Sequence, residues 1–191
     1  TTYRVTDAEL RDNNAWYHIF VAFDTTQSTA DNRIVVYING IEQTSFSTKN
    51  NPSQDANTPF NEDAKTHYIG TEGNGTSAAF DGYMAEFHYV DGTALTASSF
   101  GETKEGVWIP KEYTGSYGTN GFYLDFEDSS NLGNDANGGT DLTENNIAAT
   151  DQSTDTCTNN FATLNSLLPS STSGMSEGNL KFTNSNNMRL F

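Results

Sequence analysis

The feature that most constrains this chain is the stretch AWYHIFVAFD at 15–24, which contains eight apolar or aromatic residues and neither glycine nor proline. As a β-strand it places Trp16 and Phe20 on one face and Val21 on the other, because successive side chains alternate. Both faces are apolar, so we expect both to be covered, in the middle of a sheet that packs against a second layer. The stretch RIVVYING at 33–40 has the same character. We predict that the two are neighbouring strands of a β-sandwich.

Turn signals divide the rest of the chain into short strands. Asn39-Gly40 lies between two alternating apolar runs and predicts a two-residue hairpin. One helical turn is expected at 94–100, beginning near Thr96 as the N-cap, and the polar stretch at 47–66 is expected to be a loop. Since no segment has a sustained helical period, the chain is predicted to be all-β and antiparallel. Further strands are expected at 67–70, 80–90 and 121–127.

Charge excludes one class of partner. The chain has 9 Lys and Arg against 25 Asp and Glu, for a formal net charge of −16. A nucleic-acid backbone requires clustered basic residues, so we expect no nucleic-acid binding. An acidic surface favours solubility and can supply oxygen ligands for Ca²⁺. The one cysteine, Cys157, allows no internal disulfide, and no apolar run approaches the ~20 residues that cross a bilayer, so no membrane insertion is expected.

Composition suggests three parts. We predict that residues 1–127 form the sandwich and that 128–160 form an extended polar segment rich in Asn, Asp, Gly, Thr and Ser. Such a segment buries too little apolar surface to order itself, so it is tied to the sandwich, docked on a partner or loose. Apolar residues return in 161–191, which we interpret as a linker or the start of a following β module.

The order of four segments resembles a known superfamily. AWYHIFVAFDTTQ, RIVVYINGIEQT, HYIG and FDGYMAEFHYVDGTAL follow one another as W-x-H, N-G hairpin, I-G and F-D-G-x-x-x-x-F strands do in the concanavalin A-like lectin/glucanase superfamily, in its laminin G-like and pentraxin-like form. The resemblance implies an antiparallel jelly-roll sandwich over about residues 1–150. The stretch at 114–147 further resembles domains in structural and fibre proteins of tailed bacteriophages, especially marine ones, where a GNLKF-like segment leads into a SPRY-like second sandwich.

The resemblance also exposes a difference. Members of the family have several strands before the W-x-H strand, whereas this chain has one. The N-terminal strands of the jelly roll therefore either lie outside this chain or are supplied from elsewhere. A half-present sandwich would leave an unpaired edge and uncovered apolar faces unless another segment covered them.

The acidic residues do not match the pattern of the superfamily's glycosidases. Those enzymes resemble one another in an E-x-D-x-x-E or E-x-D-x-E strand, which places two carboxylates on one face. Here Asp125 and Glu127 share a face of the predicted last strand, but no third acid follows at the required spacing. His18, His67 and His88 lie on separate predicted strands and are interpreted as core or rim residues. We therefore expect no enzymatic activity.

Two binding sites are predicted instead. Related domains bind calcium at a sandwich rim, and the acidic loop at 127–138 offers carboxylate and amide oxygens. The alternative for that loop is a polar turn without a metal, and hence no cofactor. Glycan binding needs aromatic rings outside the core beside polar groups. The predicted calcium ligands are Glu127, Asp128, Asn134 and Asp135, and the predicted glycan-contacting rings are Trp108, Tyr113 and Tyr117.

The resemblance implies a non-enzymatic structural or binding module of a virion or extracellular fibre-like protein. Such a module would contact host-surface glycans or neighbouring subunits and form a homo-oligomer. Two alternatives stay open. One is a secreted calcium-dependent lectin or adhesin of a bacterium, and the other, less favoured, is a glycoside hydrolase.

Overall fold

Antiparallel strands make up the architecture. The computed structural model describes residues 2–12, 14–57, 65–71 and 78–159, and the backbone of 175–176 and 181–182. The helical content of these residues is three 3₁₀ turns, at Ala30–Arg33, Ala97–Ser99 and Ala149–Asp151. The protein is therefore all-β, as predicted, and has the antiparallel strands of a jelly-roll sandwich. The strands are β1 (Tyr3–Thr6), β2 (Ile19–Phe23), β3 (Ile34–Ile38), β4 (Ile41–Glu42), β5 (Phe46–Asn50), β6 (Phe87–Tyr89), β7 (Gly101–Lys104), β8 (Val107–Pro110), β9 (Phe122–Leu124), β10 (Met175–Ser176) and β11 (Lys181–Phe182).

The largest sheet has the order β2-β3-β4. Strands β2 and β3 are antiparallel neighbours, as predicted, with Phe20 opposite Tyr37. The Asn39-Gly40 hairpin is confirmed: Asn39 and Gly40 have φ of 48° and 75°, the left-handed values of a type I′ turn. The Asn39 side chain also accepts a hydrogen bond of 2.8 Å from the His18 amide, which ties the turn to the start of β2.

The remaining strands form two-stranded sheets, β1-β5, β6-β9, β7-β8 and β10-β11. The helical turn expected near Thr96 is confirmed as the 3₁₀ turn Ala97–Ser99. Its N-cap is Thr96, whose hydroxyl lies 2.9 Å from that of Ser98 instead of capping the backbone. The second β module predicted in 161–191 lies mostly outside the described residues.

One expectation about β2 is wrong. Its apolar faces were both expected to be covered, yet Ile19 and Val21 are 50% and 55% exposed. On the same face of the central strand β3, Ile34 and Val36 are 7% and 9% exposed. The reason is position: within the described sheet β2 is an edge strand, so the layer that covers β3 does not extend over it.

Other predicted strands are shorter or absent. The strand predicted at 80–90 is reduced to β6, and Glu86, the residue before β6, has φ of 54°, which interrupts the extended backbone. The strand predicted at 121–127 ends at Leu124, and Phe126 has φ of 58°. Residues 67–70 form no strand. The stretch at 47–66, predicted to be a loop, instead contains most of β5, because pairing with β1 holds residues 47–50 in an extended conformation.

Aromatic rings form the interior between β2 and β6. Phe100 follows the 3₁₀ turn and lies 5.8 Å from Phe20, 4.9 Å from His88 and 4.8 Å from Tyr113 between ring centroids. We call this group, with Tyr117 and Tyr123, the aromatic core.

Candidate functional site

A cleft of about 330 Å³ lies on the face of the β2-β3-β4 sheet that carries Phe20. One end of that face is covered by the aromatic core, and the other end opens beside the segment 94–96. The apolar part of its lining consists of Ala22 and Val35, a cross-strand pair, and of Ala94 and Leu95. Its polar lining residues come from three separate segments and are Asp24, Gln27, Asn32, Tyr37, Glu42 and Thr96.

One wall of the cleft is the loop between β2 and β3, and Arg33 holds that loop in place. The Arg33 side chain is buried, and its guanidinium donates to the carbonyls of Gln27 at 2.8 Å, Ser28 at 3.1 Å and Pro52 at 2.9 Å. Asp24 adds a backbone hydrogen bond of 2.9 Å from its amide to the Arg33 carbonyl. These bonds fix the loop that presents Asp24 and Gln27 to the cleft.

A second set of contacts braces the same loop from β5 and the residues that follow it. Lys49 lies 2.7 Å from an Asp31 carboxylate oxygen, and the Asn51 amide donates to the other oxygen at 2.8 Å. Gln54 donates to the Thr26 carbonyl at 3.1 Å. The loop is therefore attached on both sides, which suits a preformed binding wall.

The cleft combines an aromatic ring with fixed hydrogen-bonding groups. The Tyr37 hydroxyl donates to Glu42 at 3.3 Å, and burial, with the Glu42 charge beside it, raises the pKa of Tyr37. Gln27 donates to Asp24 at 2.6 Å, and with the Thr26 hydrogen bonds it lowers the pKa of the Asp24 carboxyl. At neutral pH the lining therefore offers a phenol, side-chain amides and ionised carboxylates, groups that bind the hydroxyls of sugars.

The three rings predicted to contact glycan lie outside the cleft, and two of them, Tyr113 and Tyr117, belong to the aromatic core. The Trp108 indole donates to His18 at 3.1 Å and packs against Gly40 and Gly101, where a Cβ would collide with the ring. Tyr117 is 7% exposed, so the expectation that it lies outside the core is wrong. The Tyr113 ring packs on Tyr117 at 5.2 Å between centroids. Packing takes up much of these rings, and their contact with glycan stays a prediction.

Among the predicted calcium ligands, Asp135 is buried and organises its own loop. One carboxylate oxygen accepts from the amides of Tyr123 at 2.9 Å and Asn137 at 3.0 Å, and the other from that of Gly139 at 2.9 Å. The Asp141 carboxylate accepts a similar hydrogen bond of 3.1 Å from the Asp135 amide. Both Asp135 oxygens are thus already engaged by backbone donors.

The other three predicted calcium ligands are spread along the loop. Asp128 is exposed and accepts from the Ser130 amide and hydroxyl, which lowers the pKa of the Asp128 carboxyl. Glu127 is exposed and Asn134 is half-buried. Within the described residues no group of three His, Cys, Asp or Glu side chains is placed to hold a metal ion. Calcium binding by these four residues stays a prediction.

Asp125 and Glu127 do not share a strand face. The strand ends before Asp125, the backbone turns left-handed at Phe126, and Asp125 accepts a hydrogen bond of 3.1 Å from the Glu127 amide. The facing pair on which the glycosidase alternative depended is therefore absent at this point of the chain.

Two of the three histidines, His18 and His88, are half-buried against aromatic rings, which agrees with the predicted core or rim positions. His88 stacks on Tyr123 at 4.4 Å between centroids, and its Nδ1 lies 2.7 Å from the Tyr117 hydroxyl. Burial lowers the pKa of His88 to about 4 and raises that of Tyr117 to about 12. At neutral pH both groups are uncharged, which suits a packed polar network. His67 is exposed.

The polar segment after the sandwich is attached to it. Gln152 donates to the carbonyls of Phe126 at 2.7 Å and Glu127 at 3.0 Å, and the Trp16 indole lies 3.4 Å from Asp155. Asp155 is buried, and this contact joins residues that lie 139 positions apart in the sequence. Of the three states considered for this segment, the structure shows the one in which it is tied to the sandwich.

The residues that line the cleft were missed by the sequence reasoning. The only local signal was the DTTQ stretch after β2, where an Asp beside Thr and Gln favours a turn that its own side chain stabilises. Glu42 and the segment 94–96 gave no signal, because they approach that turn only in the folded chain.

No helix in the described part of the chain is long and apolar enough to cross a membrane.

Comparison with known proteins places the chain in a superfamily. A laminin G-type family model, described as the concanavalin A-like lectin/glucanases superfamily, matches residues 1–99 of 191, which include all the described residues that line the cleft. Searches of curated proteins and of solved structures gave no match. Such a domain is a carbohydrate-binding or structural module. The chain therefore belongs to the concanavalin A-like lectin/glucanases superfamily.

Proposed function

We propose that this protein is a non-enzymatic glycan-binding and structural module of a virion or extracellular fibre-like protein. The observation that carries the glycan-binding part is the cleft on the β2-β3-β4 sheet. There the Tyr37 ring lies beside amide and carboxylate groups on a loop that Arg33 holds in place. An aromatic surface with fixed hydrogen-bonding groups suits a sugar, whose ring stacks on aromatic faces while its hydroxyls take the polar groups.

A glycan array tests the glycan-binding part. The wild-type protein is expected to bind a subset of immobilised oligosaccharides, and Tyr37→Ala is expected to lose that binding while Tyr68→Ala, which removes a 43% exposed ring outside the cleft, retains it. Tyr113→Ala separates the cleft from the rings predicted earlier. Loss of binding in Tyr113→Ala but not in Tyr37→Ala would move the site to the aromatic core, and no binding at all would refute the proposal.

The same array addresses the alternatives. If binding requires calcium and disappears with a chelator, a calcium-dependent lectin replaces our proposal. Release of reducing sugar from a bound glucan, lost in Asp125→Asn or Glu127→Gln, would indicate a hydrolase. We expect neither, since backbone amides occupy the Asp135 carboxylate and the Asp125 and Glu127 positions do not face each other.

Exposed apolar side chains support the structural part. Ile19, Val21 and Ile41 share one face of the three-stranded sheet and are 50%, 55% and 69% exposed. Ile19 and Val21 lie on one edge strand of the sheet and Ile41 on the other, and apolar residues exposed on the edge strands of one sheet face are typical of a surface that packs against another subunit. We infer that this face contacts neighbouring copies in a fibre or particle. Native mass measurement is expected to show an oligomer that Val21→Asp dissociates, and a well-folded monomeric wild type would contradict the inference.

A further inference from the structure

The charged residues of the cleft are all acidic. Of the ten residues that line it in the described part of the chain, Asp24 and Glu42 carry charge, and both are acidic. The lysine that braces the adjoining loop, Lys49, is paired with Asp31. A ligand in this cleft therefore meets negative charge without a lining cation to balance it.

The two carboxylates stand at opposite ends of the sheet face. Asp24 lies across from Arg33, and Glu42 pairs with Tyr37, four residues further along β3. Four residues span about 13 Å, and β2 and β4 are about 10 Å apart on either side of β3, so the two backbone positions are roughly 16 Å apart. Hydrogen bonds hold both carboxylates near their own ends, Asp24 to Thr26 and Glu42 to Tyr37. One sugar ring cannot reach both.

Resting on the proposed glycan binding, we propose that the cleft takes a linear oligosaccharide that carries free amines, such as a deacetylated hexosamine chain. Protonated amines on separate sugar units would approach Asp24 and Glu42, while the rings between them lie over Tyr37 and the apolar lining. The carboxylates would repel uronic acids, sialic acids and sulfated sugars. A fully acetylated chain would fit the same space without the ionic contacts.

Binding assays with matched oligosaccharides test this specificity. In mildly acidic buffer, a glucosamine hexamer is expected to bind at least about fivefold more tightly than an N-acetylglucosamine hexamer. Glu42→Gln and Asp24→Asn should each reduce that preference, and the double variant should remove it. The control Glu102→Gln makes the same change of charge at an exposed position of β7 outside the cleft. It should leave the preference unchanged.

The outcomes separate the two proposals. Equal binding of the two hexamers, or an equal effect of Glu102→Gln and Glu42→Gln, would overturn the amine preference and leave glycan binding standing. An equal effect of Glu102→Gln and Glu42→Gln would mean that the amine-bearing hexamer is attracted to the acidic surface in general. Absence of binding to these hexamers and to every glycan of the array would overturn both. Thermal melting of each variant confirms folding, and the exposed Glu42 provides a variant that leaves the Asp24 turn intact.

Discussion

Replacement of Arg33 by methionine removes the guanidinium and keeps a side chain of comparable length. The Pro52 carbonyl lies on a buried residue and loses its donor, which costs about 1.5–3 kcal/mol for a bond to a charged group. Gln27 and Ser28 are exposed, so water can reach their carbonyls and each adds about 0.5 kcal/mol. We expect Arg33→Met to lower the free energy of unfolding by about 3 kcal/mol. For a domain of this size that is roughly 6–12 °C in Tm.

The control is Arg11→Met, which removes the same charge from a side chain that is 82% exposed and pairs with Glu9. Such surface changes stay within about 0.5 kcal/mol. Urea unfolding followed by tryptophan fluorescence measures both variants, provided that circular dichroism gives the same transition. If Arg33→Met unfolds at the same urea concentration as Arg11→Met, the guanidinium does not hold the loop and the bracing of the cleft is refuted.

Three further predictions concern the rest of the fold. Asp135→Asn should lower stability by about 2 kcal/mol in urea unfolding, because an amide cannot accept on both sides, while the exposed Asp128→Asn should unfold at nearly the wild-type urea concentration. His88 has a pKa of 6.5 when unfolded and about 4 when folded, so its contribution is complete above about pH 6.5 and is lost as pH falls toward 4; the slope of Tm against pH should flatten in His88→Gln. Gly40→Ala combines positive φ with collision with an indole ring, whereas Gly106→Ala has positive φ in open space. The first should be the less stable of the two by at least about 1 kcal/mol in urea unfolding, and equal stabilities would remove the packing argument.

Local chemistry explains which strands could be predicted. The β2-β3 pairing and the Asn39-Gly40 turn depend on neighbouring residues, because alternation sets the faces and the left-handed conformation favours Asn-Gly. The strands predicted at 80–90 and 121–127 have the same alternation, but the first begins late, at Phe87, and the second ends early, at Leu124. The backbone turns left-handed at Glu86 and at Phe126. Neither residue type signals a left-handed conformation in the sequence.

Tertiary contacts explain why the candidate site could not be predicted. The calcium hypothesis counted Asp135 as an available carboxylate, but the fold brings the Tyr123 amide, 12 positions away, onto it. The aromatic residues chosen for glycan contact include Tyr117, which the fold buries beside His88. Polar and aromatic side chains serve packing and binding equally well, and only their neighbours decide between the two uses.

By itself the sequence determined the all-β class, the Asn39-Gly40 hairpin that joins β3 to β4 and the short helical turn after Thr96, since each follows from the conformational preferences of residues adjacent in the chain. Only the tertiary structure decided that β2 lies at a sheet edge, that Arg33 is directed at three carbonyls, and that a cleft opens between β3 and residue 95. These features arise where segments that are distant in the sequence meet. They are stabilised by the burial of groups that make no contact with one another in the unfolded chain.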